Sequence, residues 1–256
     1  MAELVPAERQ GILVVSGGSR GIGAATARLA GARGYDVAIG YLEQEEAAEE
    51  VAADVARSGR RAVVVRVDVA KEAEVVRLFE EATRSLGPVT AAVTSAGVTG
   101  GFARVEEVTV ETLARVLAVN VTGTILCARE AVRRMSTRRG GKGGAIVTVS
   151  SIAAELGGAG EWVHYATSKG AVEAFTVGLA REVAAEGIRV NGVAPGLIET
   201  GLHAAAGAAD RPRRLAATIP LGRPGTAVEV AEGILWLLSP AASYATGTVL
   251  RLGGGR

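Results

Sequence analysis

The sequence predicts an α/β fold: a doubly wound parallel sheet of about seven strands with helices on both faces. Three observations predict it. Short β-branched runs alternate with longer helical patterns from one end to the other, several of those runs are apolar on both faces, and no linker, repeat or low-complexity tract divides the 256 residues. Residues 1–256 are therefore read as one domain, with right-handed crossovers.

The elements follow in order. "GILVVSG" at 11–17 reads as a buried strand, followed by the small-residue helix "RGIGAATARLAGARG", which ends at Gly34. "DVAIGY" is the second strand and leads into the charged, Ala-rich "EQEEAAEEVAADVARSG". "AVVVRVDV" precedes "KEAEVVRLFEEATRSLG", where Val75, Leu78, Phe79 and Ala82 mark a helical stripe. "TAAVTSAG" is strand four, and the segment from about Val110 to Met135 reads as one long helix. "GAIVTVSS", a helix containing "VHYATSKGAVEAF" and the strand "IRVNGVAPG" make a further strand–helix–strand unit. A last helix, "VEVAEGILWLLS", runs into the terminal strand "GTVLRL".

Bulk properties exclude several classes. A net charge of +1 provides no global field for nucleic acid or an anionic membrane. The cluster "RRMSTRRGGKGG" lacks interleaved aromatic residues and reads as a solvated loop. Cys127 stands alone, which fits a reducing compartment. "MAELVPAERQ" has no apolar secretory core, and no run approaches the roughly 18 apolar residues needed to span a bilayer. A cytoplasmic protein is expected, with no metal assigned and neither nucleic acid nor membrane as partner.

Directly after the first strand comes "SGGSRGIG", where Gly17, Ser19, Arg20, Gly21, Ile22 and Gly23 form the turn into the first helix. Glycines there allow a tight turn and let a pyrophosphate approach the helix's unpaired N–H groups. The spacing differs from G-x-G-x-x-G, but its place at the first helix of a doubly wound sheet points to dinucleotide binding. A carboxylate closing the second strand would accept hydrogen bonds from a ribose 2′-hydroxyl; Gly40 and Tyr41 stand there instead, and Glu43 is expected to lie too far along. Arg20 can reach a 2′-phosphate. NADP is thus predicted over NAD.

Tyr165 and Lys169 lie one helical turn apart and share a face. An ammonium about 5 Å from a phenol, at an effective dielectric of about 20, favours the phenolate by roughly 3 kcal/mol. That is roughly two units below the phenol's usual pKa of about 10. The spacing therefore predicts an acidified Tyr165.

With the glycine turn, Asn120-Val121, a serine ending "IVTVSS" and Tyr-x-x-x-Lys in that order, the sequence resembles the short-chain dehydrogenase/reductase family. The likeness is to its compact single-domain branch, nearest to glucose-dehydrogenase-like and 3-oxoacyl-reductase-like members, and it covers nearly the whole chain. It implies a single-domain Rossmann fold and an NADP-dependent interconversion of a secondary alcohol and a carbonyl. Tyr165 would transfer the proton, Lys169 would lower its pKa and hold the nicotinamide ribose, and Ser151 would hydrogen-bond the substrate oxygen. Asn120 would hold a water linked to Lys169. Ser150 competes for the serine role, but the family's catalytic serine precedes "IAA", which selects Ser151.

The same resemblance assigns Asp68 and Val69 to the adenine and Ser95, Ala96 and Gly97 to the space beside the cofactor. Pro195, Gly196, Ile198 and Thr200 fall to the nicotinamide end. Capping is the alternative for Asp68 and Thr200.

Several features depart from the pattern or refine it. Thr94-Ser95 replaces the family's Asn-Asn, so bracing amides are expected to be lost or replaced by hydroxyls. Gly253 replaces an acid, which predicts a looser terminal segment where relatives build a tetramer; a homo-oligomer, tetramer or dimer, is expected. The stretch "SIAAELGGAGEWVHY" is one residue longer than usual and predicts a reshaped wall near Trp162. His164 adjoins Tyr165, with substrate contact as a secondary reading.

Residues of about 200–220 read as a mobile, Ala- and Gly-rich cover over a small-molecule carbonyl or alcohol substrate. Arg211, Arg213 and Arg214 read there as solvated cations rather than anion ligands. A sugar, a 3-oxoacyl thioester and a small ketone all stay open. The rival reading is a catalytically weak, cofactor-sensing binding protein on the same fold.

Overall fold

The computed structural model describes residues 10–256; the expectation of no secretory core in "MAELVPAERQ" falls almost wholly outside them. The chain runs through β1 (Gly11–Ser16), α1 (Gly21–Ala32), β2 (Tyr35–Tyr41), α2 (Glu45–Arg57), β3 (Ala62–Arg66), α3 (Glu72–Leu86) and β4 (Ala91–Thr94). It continues through α4 (Val110–Leu117), α5 (Gly123–Met135), β5 (Gly144–Val149), α6 (Ala153–Leu156), α7 (Val163–Val183) and β6 (Ile188–Pro195). The last part holds β7 (Ile198–Glu199), α8 (Gly201–Ala205), α9 (Arg211–Arg214), β8 (Gly225–Thr226), α10 (Ala227–Leu238) and β9 (Val249–Leu252). Seven strands pair in the order β3-β2-β1-β4-β5-β6-β9, all parallel, as the alternating pattern predicts. Strand order reverses between β1 and β4, and a parallel sheet binds ligands at the carboxyl ends beside such a reversal.

Alternation along β1 explains why both faces need cover. Leu13 and Val15 pack with Ala27 and Ala30 of α1, Val51 and Val55 of α2, and Ile234 and Leu237 of α10. Ile12 and Val14 face the opposite way, onto Val75, Leu78 and Phe79 of α3 and Ala128, Ala131 and Met135 of α5. Small residues on the buried side of α1 let it lie close to its neighbours. At the amino ends of the strands, fully buried Asp36 accepts from the Arg60 guanidinium at 3.0 Å and the Arg61 guanidinium at 2.8 Å. Burial pushes its carboxyl up, but these donors and the Arg61 N–H hold it below the usual carboxylate range.

The long helix predicted from Val110 to Met135 is interrupted. Residues Ala118–Thr122 form a π-helical turn between α4 and α5. Contrary to the expectation that no segment could span a bilayer, this helical run is long and apolar enough by composition alone. Here it packs Cys127, Ala128, Ala131 and Met135 into the core, leaving Val110, Leu113, Leu117 and Ile125 exposed. The terminal segment is not loosened by Gly253: Gly196 N–H donates to Leu252 O at 3.0 Å and Leu221 N–H to Gly254 O at 3.1 Å.

Candidate active site

The carboxyl ends of the strands surround one cavity of about 660 Å³. Its first wall is the turn into α1, where Gly17 and Gly21 take positive φ. A Cβ on Gly23 would lie 2.1 Å from the Gly17 carbonyl oxygen, so only glycine closes this turn. Arg20 occupies the N-cap in extended conformation without a side-chain cap, and no acid stands in the first turn. The leading N–H groups of α1 are thus left to a ligand, an arrangement that suits a pyrophosphate. Ser19, Arg20, Gly21 and Ile22 line the cavity; Gly23 acts from behind it.

At the end of β2, Tyr41 lines the same cavity with Leu42 and with Glu43, which lies closer than its sequence position suggests. Arg20 is exposed and has no ion-pair partner among the described residues. Asp68 and Val69 border the cavity, and Asp68 also caps its own turn by accepting from Ala70 N–H at 3.1 Å. Ser95, Ala96 and Gly97 continue the wall, held by Ser95 N–H to Ser16 O at 3.2 Å. The Thr94 hydroxyl is buried without a partner, so it does not replace a bracing amide. Pro195, Gly196, Ile198 and Thr200 close the far side.

β5 delivers the two serines. Ser150 turns its hydroxyl into α7, toward Glu173 at 2.9 Å and Lys169 O at 3.2 Å. Ser151 instead hydrogen-bonds Tyr165 and accepts from Ala153 N–H at 3.1 Å. Tyr165 and Lys169 project from α7 into the cavity, both buried. Lys169 Nζ donates to Val149 O at 2.8 Å and lies 5.6 Å from the Tyr165 ring centre.

The acidified phenol expected from the spacing is not what the structure gives. Burial pushes the Tyr165 phenol up to about 12, against the Ser151 hydrogen bond. Burial also pulls the Lys169 ammonium from 10.5 down to about 8. Loss of water outweighs the attraction between the two groups, because the ammonium is aimed at a carbonyl rather than at the phenol oxygen. At neutral pH the phenol is a proton donor.

Asn120 sits in the π-turn, fully buried. Its Oδ1 accepts from Val98 N–H at 2.8 Å, and its Nδ2 donates to Val98 O at 2.8 Å and Ser168 Oγ at 2.9 Å. Both ends of the amide bond protein groups, which fixes the loop after β4 to α7. A Cβ on Gly97 would stand 3.4 Å from Asn120 Oδ1 and 3.5 Å from Lys169 Nζ, which places all three together. His164 does not line the cavity. Its Nε2 hydrogen-bonds Thr99 O at 3.0 Å, which ties α7 to the same loop.

The glycine-rich insertion shapes the wall as expected. Gly158 has φ of +62°, and a Cβ there would meet Trp162 Cδ1 at 2.6 Å, so the turn makes room for the indole. Trp162 stacks on Phe102 with centroids 4.7 Å apart and lies 5.5 Å from the Tyr165 ring. Arg211, read as solvated, is buried against this stack. Phe102 and Glu161 were not singled out in the sequence; one wall of aromatic rings has no local spacing signal when its members come from separate loops.

A doubly wound sheet with an uncapped first helix and a buried hydroxyl–phenol–ammonium cluster defines a nicotinamide-dependent oxidoreductase. Comparison with known proteins agrees. The family model described as "Enoyl-(Acyl carrier protein) reductase" matches residues 17–256. The uncharacterized oxidoreductase YgfF of Escherichia coli K12 is 49% identical over 96% of this chain and 99% of its own length. The cis-4-hydroxycyclohexanecarboxylate dehydrogenase of Sinomonas cyclohexanicum is 41% identical over 95% of each chain. The crystal structure of a blue fluorescent protein from a metagenomic library, in complex with NADPH, superposes with a TM-score of 0.88 at 33% identity, over 96% of this chain and 98% of that one. The chain belongs to the short-chain dehydrogenase/reductase family and is an NAD(P)-dependent oxidoreductase.

Proposed function

We propose that this protein is an NADP-dependent oxidoreductase that interconverts a secondary alcohol and a carbonyl. The observation that carries the reading is convergence: Ser151, Tyr165 and Lys169 border the same cavity as the uncapped amino end of α1. Gly17, Ser19, Arg20, Gly21, Ile22 and Gly23 would hold the pyrophosphate end, with Arg20 on the 2′-phosphate. Asp68 and Val69 would hold the adenine, Ser95, Ala96 and Gly97 the middle, and Pro195, Gly196, Ile198 and Thr200 the nicotinamide. When bound, the cofactor supplies or accepts the hydride.

Ser151 holds the substrate oxygen, and Tyr165 gives that oxygen a proton as the carbonyl carbon is reduced. A phenol kept neutral by burial suits this direction. Lys169 supplies positive charge beside the phenol and orients the cofactor ribose. Asn120, which stands beside Lys169 and Gly97, would hold a water linked to Lys169 and so complete a Ser-Tyr-Lys-Asn proton relay. The segment at about 200–220 covers the substrate, and the exposed apolar row of α4 and α5 favours a homo-oligomer, dimer or tetramer. A cytoplasmic location completes the reading. NADPH oxidation across a panel of carbonyl compounds, with NADH in parallel, tests it: NADPH-linked turnover is expected, and a clear NADH preference would overturn the cofactor assignment.

A further inference from the structure

We infer that the substrate carries a carboxylate, received by Arg211 beside Trp162, the ring that also neighbours Tyr165. The inference rests on the oxidoreductase reading above and names the substrate class of that same site. Arg211 lines the cavity, yet its side chain is only 6% exposed. Its guanidinium carbon lies 4.6 Å from the Trp162 ring centre and 5.8 Å from that of Phe102. Both rings thus lie within cation–π reach of the guanidinium and help hold its charge beside the cavity.

The guanidinium's donors are only partly used. One Nη donates to Glu161, while Nε is buried with no hydrogen-bond partner. A buried, unpaired N–H beside a cavity is costly unless a ligand completes it. Nε and Nη form the planar fork that a carboxylate fits with two parallel hydrogen bonds. Glu161 is 40% exposed and can pass to water when a ligand arrives; the buried guanidinium has no such exit and must find its counter-charge inside the site.

Distance sets the body between the two ends. The Tyr165 ring lies 5.5 Å from the Trp162 ring, and the Arg211 guanidinium carbon lies 4.6 Å from it. The guanidinium is therefore no farther from the phenol ring than these two steps laid end to end. A substrate with its carbonyl at Tyr165 and its carboxylate at Arg211 thus has a short body between the two ends. The class is an oxo acid, reduced to the hydroxy acid by one hydride and one proton.

The test compares 4- to 6-oxoalkanoates with their methyl esters, using the whole enzyme and NADPH. Acids are expected to exceed esters in kcat/KM by roughly 10- to 100-fold, the difference residing in KM. Arg211→Gln should collapse that preference to near unity, Arg211→Lys should keep part of it, and Arg214→Gln should keep all of it. Glu161→Gln, which removes the competing carboxylate without touching the guanidinium, should lower KM for the acids several-fold. Binding is read separately from turnover by tryptophan emission in a Trp236→Phe background, where the acids should quench Trp162 and Arg211→Gln should abolish the quench. Esters reduced as well as acids, or an acid preference that survives Arg211→Gln and is unmoved by Glu161→Gln, would overturn the carboxylate assignment and leave the oxidoreductase reading standing. Failure of every ketone, acid and ester alike with either cofactor would remove both.

Discussion

Lys169 Nζ is fastened to the carbonyl of Val149, one residue short of the serine pair, rather than to the Tyr165 phenol. The ammonium is thereby held by the sheet, while the phenol, one turn away on α7, is held by Ser151. Both groups have lost their water, and each has shifted toward its neutral form.

Tyr165→Phe keeps the ring in the aromatic wall and removes the proton donor. Turnover is expected to fall by about 10²- to 10⁴-fold, with NADPH affinity retained. Fluorescence titration of NADPH alongside initial rates checks this; wild-type turnover in the variant would remove the tyrosine from the mechanism.

Lys169 yields a stability prediction with a definite sign. Its pKa is about 8 folded against 10.5 ordinarily, so between these values the unfolded chain binds more protons and stability rises with pH. Below about 8 the full penalty of the buried charge is present, about 3 kcal/mol, offset by about 1 kcal/mol for the Val149 hydrogen bond. Lys169→Met should therefore be inactive yet melt higher at pH 7, and its advantage should shrink as pH climbs from about 8 toward 10.5. Melting curves of both proteins across that range decide it; an advantage independent of pH would show that the ammonium is not buried.

Arg20→Ala is expected to raise KM for NADPH by roughly 10- to 100-fold through loss of a charge-assisted contact, and to change KM for NADH little. Glu43, which lines the same cavity, sets the opposite arm: Glu43→Gln should favour NADPH further. Equal effects on the two cofactors would place Arg20 elsewhere.

Asn120→Ala removes the side-chain partner of the N–H and C=O of Val98, a half-buried residue at the cavity wall. A loss of about 2–4 kcal/mol in stability is expected, read from denaturant midpoints. Asn120→Asp should not rescue it, since a carboxylate cannot donate to Val98 O.

Cys127 is buried, and burial pushes its thiol up to about 12. Thiol reagents at pH 8 should leave the native protein unlabelled and react only on unfolding; rapid native labelling would contradict the packing of α5.

The strands were legible because a parallel sheet buried on both faces needs continuous β-branched runs, and "GILVV" or "AVVVR" has few other uses. The Tyr165–Lys169 pair was legible because helical spacing alone puts the two on one face. The π-turn was not: helical periodicity continues through Ala118–Thr122, and the extra residue is absorbed by Asn120 bonding to a distant loop. Nor was the rise of the Tyr165 pKa, since burial is a property of the assembled walls. Arg211 was misread because "DRPRR" has the composition of an exposed segment, and only Trp162, from another part of the chain, buries it.

The carboxylate of Asp36, clasped by Arg60 and Arg61, lies at the strand ends remote from the cavity. The two rims of the sheet therefore carry different tasks. Substitutions at the Asp36 rim trade in durability alone, and a library confined there could harden the protein for use as a biocatalyst while its substrate range stays as it is.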